Sequence, residues 1–175
     1  LVDQKSVAKR AHTYTNACDK ECNVCKATRT IKHTYKTTTT KATVKKNGKQ
    51  VTKCTVCGYV SKTVTIYYPK SVKLSTSTYT YNGKTKTPSV VVKDSKGNTL
   101  KKDTDYTVKY ASGRKNPGEY KVTVTLKGKY SGTKKLTLTI KPKAPSISKA
   151  SSGSKGKATV TWSNVAGESG YQLYY

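Results

Sequence analysis

The side chains best equipped for chemistry are five cysteines and two histidines, all within the first 57 positions. Cys18, Cys22 and Cys25 fall in "ACDKECNVCK", Ala17 to Lys26, and Cys54 and Cys57 in "CTVCG", Cys54 to Gly58. Five is an odd number, so disulfides alone leave one sulfur over. Cys-x-x-Cys, an interval of 28 residues and a second Cys-x-x-Cys make the layout of a zinc ribbon. In a ribbon each pair sits on a tight turn, and the thiolates meet around one tetrahedral ion at about 2.3 Å. Zn2+ suits this role because it is redox-inert, accepts four thiolates and supplies folding energy that a small core lacks.

The preferred ligand set is therefore Cys22, Cys25, Cys54 and Cys57, with Cys18, His12 and His33 as alternates. A second arrangement gives each motif its own ion: His12, Cys18, Cys22 and Cys25 for one, and His33, Cys54 and Cys57 with a borrowed ligand for the other. In an oxidising exterior a third arrangement has two disulfides and a free thiol. A thioredoxin-like redox centre fits poorly, since no βαβ pattern surrounds either Cys-x-x-Cys.

Other chemistry is thin. Asp103 and Asp105 are a close acidic pair, and "KKDTDYTV" reads as a turn that uses Asp for backbone hydrogen bonds. "GKYSGTK" is one residue short of a phosphate loop and sits in a hairpin, not before a helix. No Gly-x-Ser-x-Gly is present, and the expectation is that this chain is not an enzyme.

The elements that must position the cysteines are strands. Val, Thr and fourteen Tyr favour a pleated surface, and no window sustains helical apolar spacing. "AHTYTNAC" is echoed by "KHTYKTTT", placing the two His 21 residues apart, and "CNVC" is echoed by "CTVC" 32 residues on. "KATVKKNGKQVTKC" carries Asn47-Gly48 at its centre, a two-residue hairpin signal whose second strand would deliver Cys54 and Cys57. This first unit, 1–68, is too poor in apolar residues to hold itself together and needs a staple.

The second unit, 69–141, alternates clearly. "EYKVTVTLK", "KKLTLTIK" and "DYTVKY" each set an apolar face against Thr and Lys, and "TPSVVVKDSKGNTL" reads as strand, turn at Ser95–Asn98, strand. Turn residues recur at the spacing of an antiparallel sandwich. "KPKAPSIS" reads as a linker into a third unit, 142–175, with strands "KATVTWS" and "GYQLYY". A sandwich needs about 100 residues, so this unit reads as truncated. The opening "LVDQKSVAKR" has neither an initiator Met nor a signal-peptide core and reads as a piece of a longer precursor.

The chain carries 35 Lys and Arg against eight Asp and Glu, a net charge of +27 spread along its length. Arg occurs only at Arg10, Arg29 and Arg114, too few for bidentate reading of bases, which argues against sequence-specific nucleic-acid binding. A diffuse Lys coat keeps strand edges apart and attracts anionic polymers without selecting among them. Tyr67, Tyr68, Tyr79 and Tyr81 are candidate stacking residues for such a polymer, against the plainer reading of core and cross-strand pairs. No apolar run approaches the ~18 residues of a membrane span.

On "YTYNGK", "DYTVKY" and "GEYKVTVTLKGKYSGT", the second unit resembles an immunoglobulin-like repeat of secreted and surface proteins of Gram-positive (Firmicutes) bacteria. "KATVTWSNVAGESGYQLYY" resembles the start of a fibronectin type III domain, and the first unit is similar to Cys/His repeats of the form H…C…C-x-x-C-G seen beside such domains. The resemblance implies an all-β chain: a zinc-ribbon-like hairpin unit, an immunoglobulin-like β-sandwich and an incomplete fibronectin type III-like unit. It also implies a structural, spacer or adhesion role in a secreted or cell-surface protein. Anionic wall or host polymers, such as teichoic acid, mucin glycans or nucleic acid, and host proteins are the alternative partners. Two departures stand out: Val44 occupies a position where a further Cys is expected, and Lys26 stands where Gly58 stands in the second motif.

Overall fold

β-Branched residues alternating with polar ones cannot bury a helical stripe but suit a sheet that is wet on one side. In a computed structural model, which describes residues 11–173, the chain forms eleven strands and, among those residues, no helix. The opening "LVDQKSVAKR" and the closing Tyr174 and Tyr175 lie outside the described residues. Two compact units result: one runs up to Thr40 and resumes over Lys49–Ile66, and the other joins Lys41–Gly48 to the chain from Tyr67 onward.

The first unit holds a three-stranded sheet in the order β1 (Tyr35–Thr40), β2 (Gly48–Cys54), β3 (Val60–Ile66). β1 and β2 are antiparallel, Tyr35 opposite Cys54 and Thr40 opposite Lys49. Every residue of β1 is exposed, so this sheet has no apolar face on that strand. Cross-strand hydroxyls stand in for packing, with Thr37 Oγ1 and Thr52 Oγ1 2.8 Å apart.

Asn47-Gly48 does not form the tight hairpin that its sequence suggests. β2 pairs with β1 across the long connection 41–47, and the residues of that connection are used elsewhere. Ala42 is fully buried in the second unit, its N–H donating to Lys129 O (3.0 Å) and its carbonyl accepting from the Ser131 N–H (2.8 Å). Asn47 Oδ1 accepts the Tyr68 N–H at 2.9 Å. Tertiary bonds along 42–47 override the local turn preference.

In the second unit β4 (Pro69–Leu74) pairs antiparallel with β6 (Val90–Asp94). A four-stranded sheet runs in the order β5 (Thr78–Thr80), β9 (Thr133–Lys141), β8 (Gly118–Leu126), β7 (Tyr106–Tyr110). β5 joins β9 in parallel, while β7, β8 and β9 are antiparallel. Register places Val108, Val124 and Lys134 in one row and Tyr110, Val122 and Leu136 in the next. The core is Val92, Leu100, Tyr106, Val124 and Leu126, with Val72 and Val90 of the smaller sheet and Leu136 of the larger packed against it. Two sheets thus face each other across apolar residues. The Tyr106 hydroxyl donates to Val90 O at 2.9 Å and that of Tyr110 to Pro88 O, tying β7 to the segment of the smaller sheet.

The strand expected after the Ser95–Asn98 turn is reduced to one bridge, Lys93 to Thr99, and Leu100 then drops into the core. Asp94 builds that turn: its carboxylate accepts the N–H groups of Lys96 (2.8 Å) and Asn98 (2.9 Å) and the Asn98 side chain (3.0 Å). Burial pushes the Asp94 carboxyl up, but the bonds from Asn98, Lys96 and Gly97 outweigh it and hold the group below its ordinary value. Asp105 serves its turn in the same way, accepting the Lys101 N–H at 2.8 Å.

Farther on, β10 (Ile147–Ser154) and β11 (Lys157–Trp162) form a two-stranded antiparallel sheet. β10 starts inside the stretch read as a linker, in a serine-rich sequence with no alternation. "GYQL", 170–173, is not a strand. Tyr171 turns to meet Trp162 edge-on, ring centroids 5.4 Å apart, and its hydroxyl accepts the Val165 N–H at 2.8 Å. A side-chain anchor replaces the backbone ladder there.

Leu138 is fully buried, whereas its neighbour Thr137 faces solvent. Leu138→Ala is expected to lower the second unit's stability by about 2–5 kcal/mol, and Thr137→Ala by less than about 0.5 kcal/mol. Urea denaturation followed by far-UV circular dichroism measures both.

Candidate metal centre

The two Cys-x-x-Cys motifs fold by the same local rule. The Cys22 N–H donates to Ala27 O (2.9 Å) and the Cys54 N–H to Tyr59 O (2.8 Å); the Lys26 N–H returns to Cys22 O and the Gly58 N–H to Cys54 O, both at 3.1 Å. These bonds close a tight loop that needs a left-handed residue after the second cysteine. Gly58 takes φ 78° there without strain, and Lys26 takes φ 62°, at a cost of about 1–2 kcal/mol for a side-chain-bearing residue. The missing glycine changes the cost of the loop and not its shape.

Each loop is sewn to a histidine segment by one more matched bond. The Asn23 N–H donates to Thr13 O and the Thr55 N–H to Thr34 O, both at 2.9 Å. The bonds bring His12 Nδ1 to 3.1 Å from Cys25 Sγ and His33 Nδ1 to 3.4 Å from Cys57 Sγ. The faint sequence repeat is thus a repeat of structure, histidine segment plus cysteine loop.

The preferred set Cys22, Cys25, Cys54 and Cys57 is not gathered at one point. Cys54 and Cys57 cluster with His33 and Cys18, while Cys22 and Cys25 cluster with His12. Within each group the ligand atoms all lie within 4.8 Å of one another. Two groups form, as in the two-centre arrangement, but Cys18 leaves the set of His12, Cys22 and Cys25 in which it was placed and joins His33, Cys54 and Cys57. Its sulfur is 3.4 Å from that of Cys54, and all five cysteines are free thiols. Val44, where a further Cys was expected, instead packs against the core of the second unit.

Cys18 is steered by residues that spacing did not single out. Asn16 Oδ1 accepts the Cys18 N–H at 2.8 Å, and Asp19 accepts the Thr15 N–H at 3.0 Å, folding the chain into a tight loop. Arg29 fastens that loop: its guanidinium donates to Asp19 O (3.0 Å) and Asn16 O (2.7 Å) and lies 3.6 Å from the centroid of the Tyr14 ring. "NACD" carries a turn signal, but nothing in the spacing shows which cysteines the turn serves. His33 is flanked by aromatic rings, stacked on Tyr59 at 5.2 Å and near Tyr35 at 5.6 Å.

The sulfurs differ in proton affinity. Backbone N–H groups of Cys57 and Val56 bond the Cys54 sulfur, against the opposing effect of burial, and with His33 and Cys18 bring its thiol down to about 5. The N–H groups of Cys25 and Val24 do the same for Cys22, again against burial and with help from His12, bringing it to about 6. Burial, followed by the neighbouring Cys54 and Cys57, pushes Cys18 up to about 12. Near neutral pH the Cys18 S–H therefore donates to a Cys54 thiolate. Cys18, His33, Cys54 and Cys57 would hold a divalent cation there as three thiolates and an imidazole. That would require the Cys18 proton to be released, while the Cys54 thiolate is already supported by backbone N–H groups. The four-residue cluster could bind a metal ion. No family model, curated protein or solved structure matches the chain.

The shifts fix a pH profile for the metal-free, reduced chain. Cys22 and Cys54, depressed from the ordinary value of 9.0, contribute stability that is full above that value and gone once pH falls through about 6 and 5. Cys18, raised to about 12, contributes stability that is full below 9.0 and lost as pH rises through its folded value. The first unit is expected to be most stable near pH 9, and Cys18→Ser to weaken the alkaline decline, to which Tyr35, also pushed up by burial, contributes, while leaving most of the acid one. Unfolding midpoints followed by the β1–β3 amide signals across pH 5–11 test this.

Proposed function

We propose that the chain is a non-catalytic structural module, a spacer or adhesion segment of a secreted, cell-surface protein of a Gram-positive bacterium. Its first unit is fastened by structural Zn2+ at Cys18, His33, Cys54 and Cys57. The observation that carries the proposal is what the first unit buries. Among its described residues only Cys22, Cys54 and Ile66 are buried, at 1%, 2% and 6% exposure. Two of the three are cysteines belonging to clusters of metal-binding type. Three thiolates and an imidazole form a donor set that Zn2+ favours in closed, structural sites. The second unit supports a spacer reading through its wet outer faces and its apolar core. The immunoglobulin-like and fibronectin type III-like identities, and the location outside a Gram-positive cell, rest on the repeat resemblance described above.

A second reading has its own observation. Lys109, Thr123 and Lys135 stand in one row on the outer face of the four-stranded sheet, with Lys121 opposite Thr137 beside them, and all three lysines are exposed. That face suits an anionic polymer such as teichoic acid, mucin glycan or nucleic acid. The tyrosines offered for stacking favour it less: Tyr67, Tyr68, Tyr79 and Tyr81 are half-buried, with Lys96 Nζ 5.4 Å from the Tyr67 ring and Lys86 Nζ 5.3 Å from that of Tyr79. Binding by charge alone should weaken steeply with salt.

Zinc removal by a chelator under reducing conditions is expected to erase the dispersed amide signals of β1–β3 and to leave those of β7–β9 unchanged. Survival of the first unit's signals, or two disulfides with no bound ion by mass spectrometry, would overturn the zinc-fastened module.

A further inference from the structure

The proposed clasp leaves His12, Cys22 and Cys25 unused, although their ligand atoms lie within 4.8 Å of one another. This group is framed by the same bonds as the clasp: cysteine N–H to the carbonyl five residues on, return bond from the residue after the second cysteine, and a bond to the residue after the histidine. A backbone that presents a cation site once presents it twice. The two sites differ by one sulfur. Cys18 lies four positions before Cys22, yet the loop held by Arg29 delivers it to Cys54. One cluster thus has four donors and the other, among the described residues, has three.

We propose that His12, Cys22 and Cys25 hold a second zinc-type divalent ion in an open site, whose remaining coordination position takes a ligand from outside the chain. Two sulfurs and an imidazole nitrogen select a borderline-soft ion that prefers four ligands, so a three-donor set leaves one place to fill. Exposure points the same way. Cys22 anchors the site at 1% exposure, while His12 and Cys25 are exposed and give the outer side of the ion access to solvent. The ligand class is small and Lewis-basic: water, or a nitrogen or oxygen donor such as imidazole or carboxylate on another molecule. The clasp, with Cys18 in place, has no such position. The inference rests on the clasp reading in one respect, the commitment of Cys18 to the His33 site.

The test is Co2+ titration of the reduced, metal-free full chain, read by its visible ligand-field bands. About two equivalents are expected, and added imidazole should shift the bands of one equivalent and not of the other. Cys22→Ser with Cys25→Ser should remove one equivalent together with the imidazole response, whereas Cys54→Ser with Cys57→Ser should spare the responsive one. Because a double variant can misfold, His12→Ala, at an exposed position, provides a second measure. It should weaken the responsive equivalent at least about tenfold and leave the other unchanged. One equivalent lost only with the Cys54/Cys57 variant would overturn this inference and leave the clasp standing. One equivalent lost with either double variant would overturn both, in favour of a shared ribbon. Two equivalents blind to imidazole would overturn the open position.

Discussion

The first unit depends on negative sulfur held by backbone N–H groups. A loop closed on Cys22 or Cys54 turns successive amides toward one sulfur, and that convergence stabilises a thiolate despite burial. Without it, a buried Cys is an inert apolar residue. With it, the unit has concentrated charge at its centre and little oil around it, the reverse of ordinary domain construction. A sheet with an entirely exposed first strand then depends on whatever satisfies those sulfurs.

The second unit solves the same problem conventionally. Val92, Val122, Val124, Leu138 and Ile140 are all at most 1% exposed, and Tyr106 and Tyr110 contribute apolar rings whose hydroxyls reach backbone carbonyls. The +27 charge is tolerable where lysines such as Lys109, Lys121 and Lys135 lie on the outward side of strands whose inward side is largely apolar. Lysine there also discourages edge pairing between copies.

Strands β7, β8 and β9 were legible because alternation carries both their type and their inward face. The all-β class followed, as did the presence of metal-type donors near the front. Which donors meet was not legible. Cys18 goes to Cys54 and not to the nearer Cys22 because Arg29 bonds two carbonyls of its loop, and no spacing rule encodes a guanidinium's reach. Asn47-Gly48 misled because its local preference competes with the burial of Ala42. β10 was invisible, since a serine-rich edge has no alternation to read, and Tyr171 looked like strand although its ring, not its backbone, makes the contact.

The long connection between β1 and β2 alters what a single cut can do. Chain leaves the first unit at Thr40, contributes Lys41–Gly48 to the second, returns at Lys49 and departs again after Ile66. Three covalent crossings therefore join the two bodies where an ordinary tandem array has one. Protease nicking after Ile66 leaves them still tied through residues 40–41 and 48–49. The connection 41–47 likewise cannot straighten without breaking the two backbone bonds of Ala42.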